Sequence, residues 1–338
     1  SSDMAIVQQT AKQNFTQKDP YLNESYFPYG LGQLTTHIGT FFLLIQAGKR
    51  REFSIGTALR SRYQNFLGEF YYPDIVEAIS TDYNRTKMSL ELVLAGLFPP
   101  RREEMLQDNI YWQPVPYNYV PRSEDKITVE SNGSTISTLP PPKCRPNSKS
   151  TKKIFDYISV NSGLNITRFL DVYNLYFGLS TETEYGFPLP RWTRAVWPDI
   201  IVNLAIKEYY VSMATPDMKK MAAGYLLRKI VENARDKITG KNAGRKVHLY
   251  SAHENNIAEL LLSLGVFEPH IPNYGAYAVI EVRRINNVYG IQILYENYDG
   301  IGPRVLTMPG CDTFCPLDHF EALIMKYFPT DDLCGNLE

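Results

Sequence analysis

The sequence predicts an α/β protein with a central mixed sheet flanked by helices and a smaller, mainly helical cap domain. Three observations predict it. Short runs at Met4-Ala5-Ile6-Val7 and at Val247, Leu249 and Ser251 read as strands near opposite ends of the chain. Helical spacings occupy most of the chain between them. Two alternating runs, Tyr277 to Ile285 and Val288 to Tyr295, flank Asn286-Asn287 and read as a β-hairpin. Strands at both ends with helices between imply a discontinuous α/β core domain, 1–110 with 236–338, and a cap or insertion domain, 111–235. At 338 residues the chain is long enough to bury a substantial core.

The elements follow in order. From Arg50 to Phe70, residues Phe53, Leu59, Tyr63 and Phe66 recur at helical spacing. Ser80-Thr81-Asp82 supplies N-cap residues for a helix through Met88, Leu92 and Val93, which Pro99-Pro100 ends. Tyr111 to Lys153 is rich in Pro, Ser and Asn and reads as irregular connection. Lys153 to Ala234 is helical in pattern, for example at Ile200, Leu204 and Tyr209. After the strand ending at Ser251, Ile257, Leu260, Leu261 and Leu264 line one face of a further helix.

Composition excludes several function classes. A formal net charge of −1 argues against nonspecific binding to nucleic acid or anionic membrane. The longest apolar cluster, Phe41-Phe42-Leu43-Leu44-Ile45, is far short of a membrane span. The chain begins at Ser1 without Met, as a mature secreted chain does. Four Cys and the sequons at Asn14, Asn23, Asn84, Asn132 and Asn165 fit an oxidising, glycosylating export route. Cys311-x-x-x-Cys315 lacks the second Cys/His pair that a metal site needs, so no metal or cofactor is expected.

A series of blocks runs nearly the full length: Tyr29-Gly30-Leu31-Gly32-Gln33-Leu34-Thr35, Leu59-Arg60-Ser61-Arg62-Tyr63 and Ser80-Thr81-Asp82-Tyr83-Asn84-Arg85-Thr86. Leu97-Phe98-Pro99-Pro100, Trp112-Gln113-Pro114-Val115-Pro116, Tyr250-Ser251-Ala252-His253 and Pro309-Gly310-Cys311 with Cys315-Pro316-Leu317 follow. In this order they resemble the prostatic and lysosomal branch of the histidine acid phosphatases. The resemblance implies a phosphoglycerate-mutase-like fold and disulfides Cys311–Cys315 and Cys144–Cys334. It also implies a chemistry: a His nucleophile in an R-H-G-x-R-x-P motif closing the first strand, Arg groups around the phosphate, and a carboxylic acid for the leaving group.

Carried over residue by residue, that chemistry is broken. Aligned on the first strand, Gln8 replaces the first Arg, Gln9 the nucleophilic His, and Lys12 the second Arg, with Thr10 beside them. Counting back from Asp19-Pro20 shifts this register by one or two residues, yet the first forty-nine residues hold no Arg, and their only His is His37. Ile79 occupies the third Arg position, and Glu254 follows His253 where the family has Asp. Losing one transition-state donor alone typically costs about 10²–10³ in rate. The chain is therefore expected not to be an enzyme; weak residual acid phosphatase activity through His253 and Glu254 is the alternative.

A carboxylate at a helix N-terminus suits a protonated amine better than a phosphate. The expected ligand-binding set is Gln8, Gln9, Thr10, Ile79, Asp82, Tyr173, His253 and Glu254, with Tyr173 offering a ring for stacking or cation–π contact. Bland readings stand beside it: His253 as a structural hydrogen-bonding histidine, Glu254 as a solvated helix cap, Tyr173 as structural or interfacial, and Asp82 and Arg85 as residues that cap and brace the helix start, with Asp82 near the pocket rim. The pattern is also similar to the salivary acid phosphatase-like proteins of fleas, which implies sequestration of serotonin or other biogenic amines, and of leukotrienes, in saliva during blood feeding. The expected protein is secreted, monomeric or a homodimer. Relative to the family, about ten residues around His37 to Ala47 look inserted. They stand to line an enlarged cleft, form an interface, or extend the following helix.

Overall fold

The computed structural model describes residues 38–121, 124–125, 149–184 and 186–329, with 38–46 as backbone helix alone. These divide into two compact units.

One unit takes in 38–47, 149–184, 186–214 and 269–271. Its helices are α3 (Lys149–Ser162), α4 (Phe169–Glu184) and α5 (Asp199–Ser212). Phe155, Ile158, Val172, Leu175, Leu179, Trp192, Ile201 and Leu204 form its core. The 3.6-residue spacing of Val172, Leu175 and Leu179 puts them on one stripe of α4.

The other unit takes in 48–121, 124–125, 215–268 and 272–329. It contains helix α1 from Gly48 onward (Ile38–Leu67 in full), β1 (Val76–Ser80), α2 (Asn84–Leu97) and β2 (Asn118–Tyr119). Later come α6 (Pro216–Lys219), a π turn at Lys220–Gly224 and α7 (Tyr225–Ile238). Strand β3 (Val247–Ser251) leads into α8 (Glu254–Ser263). The antiparallel strands β4 (Tyr277–Ile285), β5 (Val288–Glu296), β6 (Arg304–Leu306) and β7 (Cys315–Pro316) precede α9 (Leu317–Ile324).

Two sheets are present among the described residues. The first is parallel, in the order β2-β1-β3; the second is antiparallel, β4-β5-β6, with β7 also on β5. In the parallel sheet Val76 pairs with Val247 and Ser80 with Ser251. Val76, Ala78 and Ser80 are buried on one face of β1. There Leu67 of α1 and Leu90, Leu94 and Leu97 of α2 complete a core with Phe98. Helices α1 and α2 approach so closely that a Cβ at Gly56 would run into the Val93 carbonyl, and one at Gly96 into the Phe53 carbonyl.

The hairpin forms where the sequence puts it, Asn286 and Asn287 taking φ of 49° and 65° as a two-residue I′-type turn requires. Helix α1 starts at Ile38, so residues 38–47 of the apparent insertion are helical. Gln8, Gln9, Thr10, Cys144 and Cys334 lie outside the described residues. Cys311 and Cys315 form a disulfide.

Candidate functional site

Parallel pairing brings the carboxyl ends of β1 and β3 side by side, which is where open α/β sheets place their ligand sites. The loop after each strand then starts a helix, α2 at Asn84 and α8 at Glu254. The N–H of Thr81 donates to the Ser251 carbonyl at 3.0 Å, carrying the pairing one step past the strands. Two short loops and two helix N-termini therefore meet at one edge.

His253 is the N-cap residue of α8, only 4% exposed. Its backbone N–H donates to Asn256 Oδ1 at 3.1 Å. The ring points into the β1–α2 loop. Nε2 lies 3.2 Å from Thr81 Oγ1, and Nδ1 lies 3.1 Å from an Arg85 terminal nitrogen. The Arg85 guanidinium stacks 4.1 Å from the centre of the Tyr83 ring. The Tyr83 ring stands edge-on to the imidazole at 5.0 Å. Thr81 Oγ1 donates to Thr86 Oγ1 at 2.7 Å, and Thr86 Oγ1 reaches the carbonyls of Thr81 and Tyr83, both at 3.0 Å. Both threonines are buried. Ser251 Oγ donates to the Thr86 carbonyl at 2.9 Å, tying β3 to α2.

Glu254 is the first residue of α8, half-buried, where the helix dipole favours a carboxylate. Ile79 sits one residue before the end of β1, half-buried and paired with Tyr250. Glu77 and His248 pair below it on the same face, Nδ1 to Oε2 at 2.7 Å. Burial holds His248 below its ordinary value despite that carboxylate, and pushes the Tyr250 hydroxyl up to about 12.

The N-cap position of α2 falls on Tyr83, whose side chain makes no cap bond, and the Asp82 carboxylate pairs with Lys87 at 2.6 Å. Lys87 in turn lies 3.3 Å from the centre of the Tyr119 ring on β2. Tyr173 belongs to the helical unit, where its ring packs edge-on against Phe177 at 4.9 Å and Tyr209 at 5.6 Å. The sequence placed Arg85 only at the helix start and did not give Arg85, Thr81 and Tyr83 as partners of the His253 ring. The Ser80–Thr86 block gave no local signal for these contacts, since Thr81 and His253 lie 172 residues apart. Among the described residues no group of three or more His, Cys, Asp or Glu is placed to hold a metal ion.

Fold and loop geometry define an α/β protein with its candidate site at the carboxyl edge of parallel strands. The chain belongs to the histidine phosphatase superfamily, branch 2, whose family model matches residues 1–296. It is 34% identical over 324 residues to "Venom acid phosphatase Acph-1" of Apis mellifera, covering 93% of this chain and 80% of that protein. It is 29% identical over 328 residues to the lysosomal acid phosphatase of Homo sapiens, covering 93% and 74%. Among solved structures, a phytase of Klebsiella sp ASR1 matches with a TM-score of 0.61 at 11% identity, covering 98% of this chain and 94% of that one. That likeness speaks for the histidine phosphatase fold.

Proposed function

We propose that this chain is a non-catalytic member of its family, secreted, which binds and sequesters small mediators where its relatives hold phosphate. The ligands are biogenic amines such as serotonin and, by the resemblance to flea salivary proteins, leukotrienes. The biological effect is then to oppose haemostasis and inflammation during blood feeding. One observation carries the reading: the first forty-nine residues contain no Arg and no His except His37. Turnover through a phosphohistidine needs that imidazole and those guanidinium groups together.

The surroundings support it. Ile79 places an aliphatic side chain near the end of β1 where the family has its third Arg. The remaining imidazole, His253, already has a partner on each ring nitrogen. Of the nearby charges, Lys87 pairs with Asp82 and Arg85 donates to His253, and Glu254 is a carboxylate at a helix start. A protonated amine meets that carboxylate favourably; a phosphate does not. Export is supported by the venom and lysosomal names of the relatives, by the Cys311–Cys315 disulfide, and by exposed sequon residues Asn84 and Asn165. No described helix is long and apolar enough to cross a membrane.

Calorimetric titration with serotonin tests the reading, with histamine, noradrenaline and a leukotriene as further arms. Saturable binding of serotonin by the wild-type chain is expected. Glu254→Gln should weaken it by about 1.5–3 kcal/mol, the range for losing a charge-assisted bond. No heat with any of these ligands would overturn the proposal. Equal serotonin affinity in the Gln variant would overturn its electrostatic part.

A further inference from the structure

We infer that Arg85 and Thr81 clamp His253 as the uncharged Nε2–H imidazole with both ring nitrogens occupied, so that the family's surviving histidine holds the site's architecture and offers no nitrogen to a ligand. Counting protons from either end of the network gives the same tautomer.

Arginine has five N–H donors and no acceptor. Its terminal nitrogen lies 3.1 Å from His253 Nδ1, so Nδ1 must present a lone pair. That excludes the Nδ1–H tautomer and the imidazolium together, and the ring proton must sit on Nε2.

The other end starts at backbone carbonyls, which only accept. Thr86 Oγ1 is 3.0 Å from the carbonyls of Thr81 and Tyr83, so its single proton is spent on them. Thr86 Oγ1 can then only accept from Thr81 Oγ1, 2.7 Å away. With its own proton given to Thr86, Thr81 Oγ1 can only accept from His253 Nε2, 3.2 Å away. Nε2 must therefore carry hydrogen, the same answer reached from Arg85. Every donor in the chain Arg85, His253, Thr81, Thr86, carbonyl points one way.

Tyr83 sets the geometry at the Arg85 end. The guanidinium lies against its ring face, and the ring edge abuts the imidazole. Arg85 is thus a positioning residue that acts through His253. A buried ring held in this way (His253 is 4% exposed) cannot exchange its Nε2 proton quickly with water.

The test is nitrogen-15 NMR of the full chain labelled at histidine, near neutral pH and without ligand. One imidazole Nε2–H resonance should be visible in water in slow exchange, and absent from His253→Asn. Arg85→Met and Thr81→Val should each lose it to fast exchange; Arg85→Lys, which keeps a donor, and Thr81→Ser, which keeps the hydroxyl, should retain it. A His253 ring protonated at Nδ1, or at both nitrogens, in the wild-type chain overturns the inference even where no variant folds. So does a signal that survives in both disruptive variants. Because no amine is present, this outcome is independent of whether the cleft binds serotonin.

Discussion

Thr81→Val removes one oxygen from the middle of the clamp and keeps the shape. In the wild-type chain Thr81 Oγ1 accepts from His253 Nε2 and donates to Thr86 Oγ1. Valine leaves the Nε2–H group without that acceptor inside a residue that is 4% exposed. An unsatisfied buried donor costs about 1–3 kcal/mol. Thr86 keeps its two carbonyl acceptors, so the loss centres on His253, and roughly 2 kcal/mol is expected. Thr81→Ser keeps the hydroxyl and loses a methyl, worth about 0.8 kcal/mol. A chain of two compact units is poorly served by a single melting temperature, so the assay is hydrogen exchange followed peptide by peptide. At about 1.4 kcal/mol per factor of ten, amides of α2 and α8 in Thr81→Val should exchange roughly thirtyfold faster, and those of Thr81→Ser roughly fourfold faster. Amides in the helical unit should be unchanged. Equal protection in Thr81→Val and wild type, or equal loss in the Ser and Val variants, refutes the reasoning.

Two further predictions concern packing and pH. Gly96→Ala ordinarily strengthens a helix by about 1 kcal/mol, but here the new methyl meets the Phe53 carbonyl of α1. The sign should invert to a destabilisation of about 2 kcal/mol or more, read by denaturant unfolding. In the helical unit, burial pushes the Glu208 carboxyl from 4.5 up to about 7, with Arg168 opposing and Asp171 adding. The folded state therefore holds that proton more tightly than the unfolded chain. Its contribution is fullest below about pH 4.5 and is lost as pH rises to about 7, by roughly 3 kcal/mol at about 1.4 kcal/mol per pH unit. Glu208→Gln should be the more stable protein at pH 8 and lose that advantage toward pH 4.5; a pH-independent difference contradicts the assignment.

The parts of the fold that were legible in the sequence are those with local physical causes. Asn286-Asn287 marks the hairpin because few other residues tolerate positive φ twice in succession. The apolar face of α8 and the stop at Pro99 are equally local. Strand β2 was not legible: Asn118-Tyr119 has no alternation and lies in a Pro- and Asn-rich stretch, and it is a strand because β1 offers it a partner. The start of α2 falls one residue later than Ser80-Thr81-Asp82 suggested, with Tyr83 in the N-cap position.

The candidate site shows the same division. His253 and Glu254 could be placed at a helix start from sequence, and they are there. What His253 touches could not, because Thr81 lies 172 residues away and Arg85 168, joined only by parallel pairing of β1 with β3. The S-T-D-x-x-R-T block announced the fold and gave no sign that its Thr and Arg side chains close on the imidazole.

The central claim is that phosphoryl chemistry has been lost while the site's frame remains. Hydrolysis of p-nitrophenyl phosphate at acid pH, measured beside the Apis mellifera venom acid phosphatase, tests it most directly. The account predicts turnover by this chain no higher than the buffer blank, whereas turnover on the scale of the venom protein would contradict it.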